Sequence, residues 1–260
     1  MDISSSTPLT FQGDGSKAMQ CTLASGEVVF RKVGDASAIQ REVMQLQHLI
    51  NSSRILTTPQ LVASGDDWLA TSWLPGRNLA EQFAMADAEA TRSAICERFG
   101  SVLCASTAIS TSLSEPDDPF GHMFDQIDRV VQADGGRVIT DPDAFIDGRV
   151  IGDVWREVLA DSSGFVPEIR YVQGDWCLPN VMSDSLDAAH LGGIVDWSEA
   201  GWMDWRFCIA DGLWSIGYNS RLAGVNPGAF QEAFLNACDV SVEREVVAWC
   251  RKIRALMALI

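Results

Sequence analysis

Short apolar stretches separated by polar turn residues dominate the first part of the chain. Residues 19–23 and 27–33 form two such stretches around a Ser-Gly turn, and residues 59–62 and 68–71 form two more. Stretches of this length, bounded by turn formers, are typical of β-strands. The pattern therefore predicts a small β-rich unit at the start of the chain.

A helix is predicted between these two pairs of strands. Apolar residues recur at helical spacing after Asp35, at Ile39, Val43, Leu46 and Ile50. This stripe predicts a helix that packs one face against the strands. Glu42 lies beside the stripe, so we expect its carboxylate to point inward.

From residue 79 onwards the pattern is mainly helical. Helices are predicted over residues 90–108 and 149–161 and in the amphipathic tail, residues 249–260. The acidic residues 114–148 are rich in turn formers and predict loops.

The change from strands to helices predicts an α+β fold with two lobes rather than two independent domains. We place a small β-rich lobe at residues 1–75 and a larger, mostly helical lobe at residues 76–260. The segment Ser-Trp-Leu-Pro-Gly leaves the last strand and suggests a hinge at about residues 71–77.

The composition is typical of a soluble cytoplasmic protein. The chain has 260 residues, of which 47% are hydrophobic, and these suffice for a substantial core. It contains no apolar run of about 18 residues, so no membrane span is expected, and its first residues do not form a secretory signal. The seven cysteines are scattered without a CxxC pair, which indicates reduced thiols.

The net charge narrows the range of partners. The 35 acidic and 19 basic residues give a formal charge of −16, which opposes binding to nucleic acid or to an anionic membrane. An acidic protein can concentrate a polycationic substrate near its cleft. Acidity that serves only solubility explains the net charge equally well.

Residues 172–205 contain the strongest chemical signal. Asp175 is followed five positions later by Asn180, and an apolar segment then leads to a second acid, Asp196. Phosphoryl transfer needs a carboxylate to orient the substrate hydroxyl and oxygen ligands to hold Mg²⁺ on the nucleotide phosphates. Protein kinases carry the base and the metal-binding Asn at this same offset, followed by a metal-binding Asp. The trio therefore predicts a kinase, with Asp175 as the base and Asn180 and Asp196 as metal ligands.

The residues between Asn180 and Asp196 predict a hairpin that brings the two together. Val181 and Met182 continue as an apolar pair, a turn-rich stretch follows, and residues 192–195 suggest a returning strand. The alternative is that Asp175 and Asn180 form turns around Pro179 and that Asp196 merely ends a strand.

The β-rich part contains candidate residues for ATP binding, with GTP as a possible substitute. Lys32 on a strand and Glu42 on the following helix have the arrangement by which kinases position the α- and β-phosphates; the alternative is an exposed pair. At the hinge, backbone groups of Ser72 and Leu74 could pair with adenine. Three residues of the preceding loop could cover phosphates with their amides, although an ordinary turn fits them equally well: Gly13, Gly15 and Ser16.

These motifs resemble those of a known enzyme family. Residues 172–182, VQGDWCLPNVM, resemble the catalytic loop of the aminoglycoside phosphotransferases, and residues 192–205, GGIVDWSEAGWMDW, resemble their metal-binding strand. The likeness extends through VVFRKVG, WLATSWLPG and FGSVLCASTAIS. CLPN is similar to 3′-kinases and streptomycin kinases, whereas DWSEA is closer to hygromycin kinases. The resemblance implies a two-lobed protein-kinase-like fold.

The chain departs from the family pattern at four positions. Gln173 stands where the family usually has His, and Thr107 where a Leu-His pair is common. Cys208 replaces a structural Asp, for which Asp211 could substitute one helical turn later. Glu199 replaces an Arg found in many 3′-kinases. None of these changes removes the predicted base or a predicted metal ligand.

Residues 172–205 are called the catalytic segment below, and acidic residues near it are candidates for binding a cationic substrate. Asp153, Glu157 and Asp161 share one helical face by i, i+4 spacing, in the region where the family keeps acidic substrate contacts; a solvated face is the alternative. Further candidates are Glu199 and Asp204. The chain end folds over the drug in 3′-kinases, a role that only the terminal carboxylate of Ile260 could copy here.

Four tryptophans near the motif could stack on a substrate ring, although core positions are more common for this residue: Trp176, Trp197, Trp202 and Trp205. The three histidines are dispersed, and no nucleophile elbow accompanies them, so hydrolase chemistry has little support.

Together these features predict an ATP- and Mg²⁺-dependent kinase, a monomer or weak homodimer, that phosphorylates a hydroxyl of an aminoglycoside-type antibiotic. The alternatives are a kinase of the same fold acting on another antibiotic, a sugar or an amino alcohol, and a non-catalytic nucleotide-binding protein.

Overall fold

The computed structural model describes residues 2–9, 16–51, 54–118, 120–140, 146–184, 192–238 and 244–259. The strands within these residues are, in chain order, β1 (Ile3–Pro8), β2 (Lys17–Leu23), β3 (Val28–Val33), β4 (Leu49–Asn51), β5 (Leu56–Thr57), β6 (Leu61–Ser64), β7 (Trp68–Ser72), β8 (Arg77–Asn78), β9 (Ile109–Thr111), β10 (Ile169–Val172), β11 (Val181–Ser183), β12 (Gly192–Ile194) and β13 (Gly201–Asp204). The helices are α1 (Ala36–His48), α2 (Leu79–Met85), α3 (Glu89–Ser106), α4 (Gly121–Asp134), α5 (Ile151–Asp161), α6 (Arg206–Leu222), α7 (Gly228–Ala237) and α8 (Arg244–Met257).

The first part of the chain forms an antiparallel five-stranded sheet in the order β1-β2-β3-β7-β6. Strands β2, β3, β6 and β7 correspond to the four apolar stretches in the sequence, and their existence is confirmed. Strand β1 was not predicted, because its sequence ISSSTP lacks apolar alternation and most of its side chains are exposed. It is an edge strand held by the backbone ladder to β2.

Helix α1 packs against this sheet as its apolar stripe predicts. The Asp35 carboxylate caps the helix by accepting the Ala38 N–H at 3.0 Å. Ile39 and Val43 pack with Leu69 of β7. The prediction was wrong for Ile50, which lies beyond the end of the helix in β4 and is 49% exposed.

Two strands of the catalytic segment, β11 and β12, lie in a second, four-stranded sheet with the order β5-β12-β11-β8. Strands β11 and β12 pair in antiparallel register, with Val181 opposite Ile194, so the predicted hairpin is confirmed. Two further sheets, β10-β13 and β4-β9, have two strands each. Because Asn180 precedes β11 and Asp196 follows β12, the antiparallel pairing brings both residues to the open end of the hairpin.

Helices form the rest of the molecule around two apolar clusters. The larger cluster joins α2, α3, α6 and α7 to the strands of the catalytic segment, and the other joins α4, α5, α6 and α8. The predicted helices α3, α5 and α8 are all present. This β-rich first part and helical second part confirm the predicted two-lobed α+β fold.

Helix α4 is a correction to the sequence prediction, which assigned loops to residues 114–148. Phe124, Ile127 and Val131 recur at i, i+3 and i+4 spacing, and this stripe packs into the cluster with α5 and α8. The acidic, turn-rich segments that suggested loops, residues 114–119 and 140–148, lie on either side of this helix. None of the helices within the described ranges is long and apolar enough to cross a membrane.

Candidate active site

A cavity of about 440 Å³ lies between the five-stranded sheet and the catalytic segment. We call it the interlobe cavity. It is lined by residues of both regions, among them Phe30, Lys32, Glu42, Ser72, Leu74, Asn180, Val195 and Asp196. Groups that the sequence predicted for nucleotide and metal binding thus line one cavity although they lie far apart in the chain.

Lys32 connects the sheet, helix α1 and the catalytic segment. Its Nζ lies 3.2 Å from Glu42 Oε2 and 3.0 Å from Asp196 Oδ1. Glu42 Oε1 also accepts the N–H of Trp197 at 3.2 Å. Lys32 is only 6% exposed and Glu42 only 4%. The two form a buried ion pair, so the alternative of an exposed pair is wrong.

The charges around Lys32 keep its ammonium group protonated. Burial lowers the pKa of Lys32, but the charges of Glu42 and Asp196 outweigh this effect, and the pKa lies above its ordinary value of 10.5. Arg31 lies on the opposite face of β3, with its guanidinium 5.0 Å from the ring centre of Trp68. Strand alternation therefore selects Lys32, as expected.

Asp175 lies in a loop whose geometry is set by two amide side chains. Asn180 Nδ2 donates to the backbone oxygen of Asp175 at 3.0 Å and to its Oδ2 at 2.9 Å. Gln173 accepts the Asp175 N–H at 3.0 Å through Oε1, and its Nε2 donates to the backbone oxygens of Val195 and Asp196. Gln173, at the position where the resembled family usually has His, thus ties the loop of Asp175 to the segment that ends at Asp196.

The backbone at Gly174 requires glycine. Its φ of +88° lies in the left-handed region, and a Cβ at this position would clash with the backbone oxygen of Glu199. The next residue, Asp175, is partly buried, and burial raises its pKa above the ordinary value of 3.8. The charge of Asp196 adds to this increase, whereas Arg254 opposes it. A raised pKa makes the carboxylate a better proton acceptor near neutral pH.

Asp196 has an unusual backbone conformation. Its φ of 56° makes it the one non-glycine residue of the described ranges with positive φ, a conformation that Asp and Asn tolerate better than most residues. Its Oδ1 accepts hydrogen bonds from Lys32 and, at 3.0 Å, from Ser198. The strain at a residue facing the cavity is consistent with a functional role.

The donor set fits Mg²⁺ bound together with a nucleotide. Asp196 and Asn180 line the same cavity, and the Val195 N–H donates to the Asn180 backbone oxygen at 2.9 Å, which joins the two ends of the hairpin. Within the described ranges no group of three or more His, Cys, Asp or Glu side chains could hold a metal. One carboxylate and one amide suffice where phosphates and water supply the other ligands.

The hinge residues Ser72 and Leu74 both line the interlobe cavity. The Ser72 N–H already donates to the Gln60 oxygen at 2.8 Å, so pairing with a base would use the Ser72 carbonyl or the Leu74 backbone. At Gly76, φ is +98° and a Cβ would clash with the backbone of Ser183. The chain therefore needs glycine where it turns from the hinge towards β11.

The predicted phosphate loop is only partly described. Gly13 and Gly15 lie outside the described residues. Ser16 precedes β2 beside Gly34, and it is not among the described residues that line either cavity. Its role in nucleotide binding stays a prediction.

A second cavity, of about 470 Å³, reaches the other side of the catalytic loop. We call it the acceptor cavity, because it is the candidate site for the phosphoryl acceptor. The loop that carries Asp175 contacts residues of both cavities: Asn180, of the interlobe cavity, donates to Asp175 Oδ2, and Arg254 Nη2, of the acceptor cavity, donates to the Gly174 oxygen at 3.0 Å. The described lining of the acceptor cavity comprises Arg137, Ile139, Thr140, Glu199, Ala210, Asp211, Trp214, Arg251, Arg254, Ala255, Met257, Ala258 and Leu259.

Of the predicted substrate residues, Glu199 alone is part of this described lining. The prediction was wrong for Asp204, which is 0% exposed and cannot contact a substrate. Its carboxylate accepts Arg206 Nε at 2.8 Å and the Glu168 N–H at 2.7 Å. Ile260 lies outside the described residues.

The acidic face of α5 is already neutralised by basic side chains. Glu157 pairs with Arg149 and, at 3.2 Å, with Lys252. Lys252 also lies 3.1 Å from Asp161, and Arg156 pairs with Asp153. These ion pairs contradict the expectation of three unpaired acids that repel one another, since Arg156 of α5 itself and Lys252 of α8 supply cations. The solvated face given as the alternative fits these partly exposed, ion-paired acids, and a substrate role for them stays a prediction.

Three of the four tryptophans near the motif are core residues. Trp176 and Trp197 are 1% exposed and Trp205 is 4% exposed, and Trp176 stacks on Phe99 with ring centres 5.6 Å apart. Trp202 is partly buried and packs against Tyr171. A substrate role for this group is therefore not supported.

The sequence reading missed Trp214 and Arg254, which both line the acceptor cavity. Trp214 is 38% exposed and stacks on Tyr218 with ring centres 5.3 Å apart. Trp214 could have been found in the sequence, because it lies one helical turn beyond Asp211 in α6, which starts just after residues 172–205. Arg254 gave no local signal, because basic residues are common on amphipathic tails.

Comparisons with known proteins agree with this architecture. Residues 16–240 match the model of a family described as the phosphotransferase enzyme family. The chain is similar to an aminoglycoside-3′-phosphotransferase of type VIII, with a TM-score of 0.64 and 19% identity over 96% of this chain and 93% of that one. No curated protein sequence matches significantly.

Two further solved structures have similar folds. An aminoglycoside phosphotransferase from Streptomyces rimosus, in complex with ADP and streptomycin, matches with a TM-score of 0.59 and 19% identity over 96% of this chain and 92% of that one. A macrolide 2′-phosphotransferase from Brachybacterium faecium matches with a TM-score of 0.56 and 13% identity over 97% of this chain and 82% of that one. Identities this low show a shared fold.

Proposed function

The chain belongs to the phosphotransferase enzyme family, and we propose on this basis that it transfers the γ-phosphoryl group of ATP to a hydroxyl of a small molecule. The observation that carries the proposal is the convergence of Lys32, Glu42, Asn180 and Asp196 on one cavity beside Asp175. A non-catalytic nucleotide-binding protein has less support, because none of the groups that phosphoryl transfer requires is missing.

The described residues suggest how each group acts. Lys32, held by Glu42, would pair with the α- and β-phosphates and fix the nucleotide. Asn180 and Asp196 would hold Mg²⁺, which neutralises phosphate charge when it is bound.

Asp175 would orient the acceptor hydroxyl and take its proton as the oxygen–phosphorus bond forms. No described residue donates a hydrogen bond to its Oδ1, so this oxygen can face the hydroxyl, while Oδ2 is held by Asn180. The protein thus contributes mainly positioning and charge stabilisation.

An antibiotic of the aminoglycoside type is the first acceptor class that we propose. The resemblance of the catalytic loop, the similar folds of aminoglycoside phosphotransferases and the charge of −16 support it. Phosphorylation would oppose binding of such a drug to an anionic target, and resistance would follow.

A less cationic acceptor is the second class, and the acceptor cavity favours it. Among the described residues its ionisable lining consists of Arg137, Arg251, Arg254, Glu199 and Asp211, so the described part of the lining is not predominantly acidic. The rest of this lining is mainly aliphatic, with Trp214 as an aromatic wall. Such a surface fits a ring-bearing, neutral or weakly charged alcohol better than an array of ammonium groups.

A screen of ATP consumption with Mg²⁺ tests the function and separates the two classes. The panel would pair kanamycin, streptomycin and hygromycin B with a macrolide, a nucleoside and choline, and mass spectrometry would detect an 80 Da phosphoryl addition, the mass gain expected of phosphoryl transfer. Turnover of the first group alone supports an aminoglycoside kinase. Turnover of the macrolide or nucleoside alone supports the second class, and failure of Mg·ATP to bind would overturn the phosphotransferase proposal.

A further inference from the structure

Arg254 on the C-terminal helix α8 makes a contact that the proposed mechanism has not used. Its Nη2 donates to the backbone oxygen of Gly174 at 3.0 Å, and its Nε donates to Asp211 Oδ1 at 2.6 Å. Gly174 directly precedes Asp175. One guanidinium therefore joins the catalytic loop, helix α6 and helix α8.

The contact is built to be specific. Gly174 has a left-handed φ of +88° and lies so close to the Glu199 backbone that a Cβ would clash, so the loop has little freedom here, and the planar guanidinium can satisfy two acceptors at once with a rigid geometry. Lysine at this position could not bridge both acceptors in the same way, because its single ammonium group is a point charge on a flexible stem.

Asp211 depends on Arg254. Burial raises the pKa of Asp211 to about 6, although the charge of Arg254 lowers it. Its other oxygen, Oδ2, is buried without a hydrogen-bond partner among the described residues. Arg254 is therefore the charged group that compensates this carboxylate, beside a smaller contribution from the Trp176 backbone, and the carboxylate in turn fixes the guanidinium opposite Gly174.

We propose that Arg254, oriented by Asp211, is a positioning residue that fixes the catalytic loop so that Asp175 faces the acceptor. The proposal deepens the proposed phosphotransferase function and rests on it for the role of Asp175. Arg254 also lines the acceptor cavity. The C-terminal helix thereby forms one wall of the acceptor site and holds the base in place through the same side chain.

Hydrogen–deuterium exchange tests this proposal without an acceptor. In Arg254→Met, amide exchange should become at least several-fold faster in residues 173–177, whereas exchange in the five-stranded sheet stays unchanged. Arg254→Lys should restore the pairing with Asp211 but only part of the loop protection. Lys252→Met is the matched control. It removes the same charge from the same helix, but the Lys252 side chain contacts Glu157 and Asp161 of α5 rather than the catalytic loop.

A double variant separates positioning from stability. Arg254→Met alone leaves the Asp211 carboxylate buried and unpaired and can destabilise the fold. Asp211→Leu combined with Arg254→Met replaces both partners by apolar groups and should recover most of the lost melting temperature. Its catalytic loop should still exchange fast, because Gly174 lacks its donor.

Activity gives the second measurement. With an acceptor from the screen, the double variant should keep its affinity for Mg·ADP while kcat falls about 10²-fold, the scale of a misplaced catalytic group. Added guanidinium ion should partly restore kcat in Arg254→Ala, because the vacated space opens to the acceptor cavity. Amide exchange at the wild-type rate in residues 173–177 of both Arg254→Met and the double variant would overturn the positioning role. Lack of any phosphotransfer by the wild type would instead overturn the proposed function.

Discussion

The direction in which a side chain points, more than its residue type, decides which residues form the candidate site. Lys32 and Arg31 are adjacent cations on β3, yet only Lys32 faces Glu42 and Asp196, while Arg31 lies over the Trp68 ring. Asp175 differs from the exposed acids in that it is fixed through its backbone and its side chain by neighbouring amides. These orientations turn common residue types into candidate catalytic groups.

The first prediction concerns the candidate base. Asp175→Asn should reduce turnover at least ~10²-fold, because the amide cannot accept the hydroxyl proton, while Mg·ATP affinity changes little. Steady-state kinetics and calorimetry measure the two effects. Asp87→Asn, at an exposed acid that lines neither cavity, is the control. Turnover near that of the wild type in Asp175→Asn would remove this residue from the mechanism.

The second prediction concerns the candidate metal ligand. Asp196→Asn keeps a residue type that tolerates the φ of 56° but removes the negative charge that faces Lys32. We expect the Mg²⁺-dependent part of ATP affinity to be lost, because this carboxylate supplies most of the protein's charge at the metal. Calorimetry with and without Mg²⁺ measures it, and unchanged Mg·ATP affinity would indicate a structural Asp196.

At the scale of elements, the loop after β10 and the hairpin β11-β12 assemble the site through backbone contacts. Gly174 and Gly76 each allow a close approach that a Cβ would block, to Glu199 and to Ser183 respectively. Their φ values of +88° and +98° reinforce this requirement. The motif therefore needs glycine next to the acid for geometric reasons.

The third prediction follows from this geometry. Gly174→Ala should lower turnover strongly, because the added Cβ would displace either the catalytic loop or the Glu199 backbone and so move Asp175. Gly136→Ala is the matched control, since a Cβ there meets nothing within 4 Å. Kinetics and circular dichroism of both variants provide the measurement. Equal turnover in the two would show that the loop tolerates the shift.

The fourth prediction concerns α5, where Glu157 is ion-paired. Hydrogen bonds from Arg149 and then Lys252 hold the pKa of Glu157 at about 2. Its contribution to stability should thus be present above the ordinary pKa of 4.5 and lost as the pH falls towards 2. Because the side chain is 44% exposed, we expect Glu157→Gln to cost at most about 1 kcal/mol after allowance for solvent screening.

Thermal unfolding at pH 7 and near pH 2 measures this contribution, and acceptor kinetics complete the test. The acceptor KM should not change in Glu157→Gln, since Glu157 does not line the acceptor cavity and its partners, Arg149 and Lys252, lie just before α5 and on α8. Glu115→Gln, at an exposed loop residue, is the control. A large rise in acceptor KM for Glu157→Gln alone would restore this residue as a substrate contact.

At the scale of the whole molecule, the charge of −16 creates a negative field around the protein, whereas the described lining of the acceptor cavity contains both cations and acids. The acids of α5 are paired with cations, and Asp204 is enclosed by Arg206. Among the described residues, any attraction of a polycation therefore comes mainly from the summed surface charge.

The fifth prediction uses this difference. If a polycationic aminoglycoside is the acceptor, its KM should rise steeply with salt, because the screening length falls from about 10 Å at 0.1 M to about 3 Å at 1 M. Charge reversal at Glu199 should raise this KM further, whereas reversal at Glu157 should not. A salt-independent KM for a neutral acceptor, with no response to either reversal, would retire the aminoglycoside class and leave the kinase assignment standing.

The features that could be predicted from the sequence are those that depend on residues close together in the chain. The offset between Asp175 and Asn180, the hairpin leading to Asp196, and the strand and helix that carry Lys32 and Glu42 all depend on residues close in the chain, where periodicity and turn chemistry act. Backbone ladders without apolar alternation, as in β1, and a helix whose polar face is acidic, as in α4, gave weaker local signals and were missed.

Only the tertiary structure shows which acids pair with cations from distant parts of the chain. Lys252 of α8 neutralises Glu157 and Asp161 of α5, which looked available in the sequence, and Arg254 reaches Gly174 across 80 positions of the chain. Such contacts depend on how helices pack, since Coulomb interactions and hydrogen bonds act over distances in space that residue spacing does not encode. The candidate chemistry was therefore predictable from local motifs, whereas the cavity proposed for the acceptor depends on the packing of the C-terminal helix against α6.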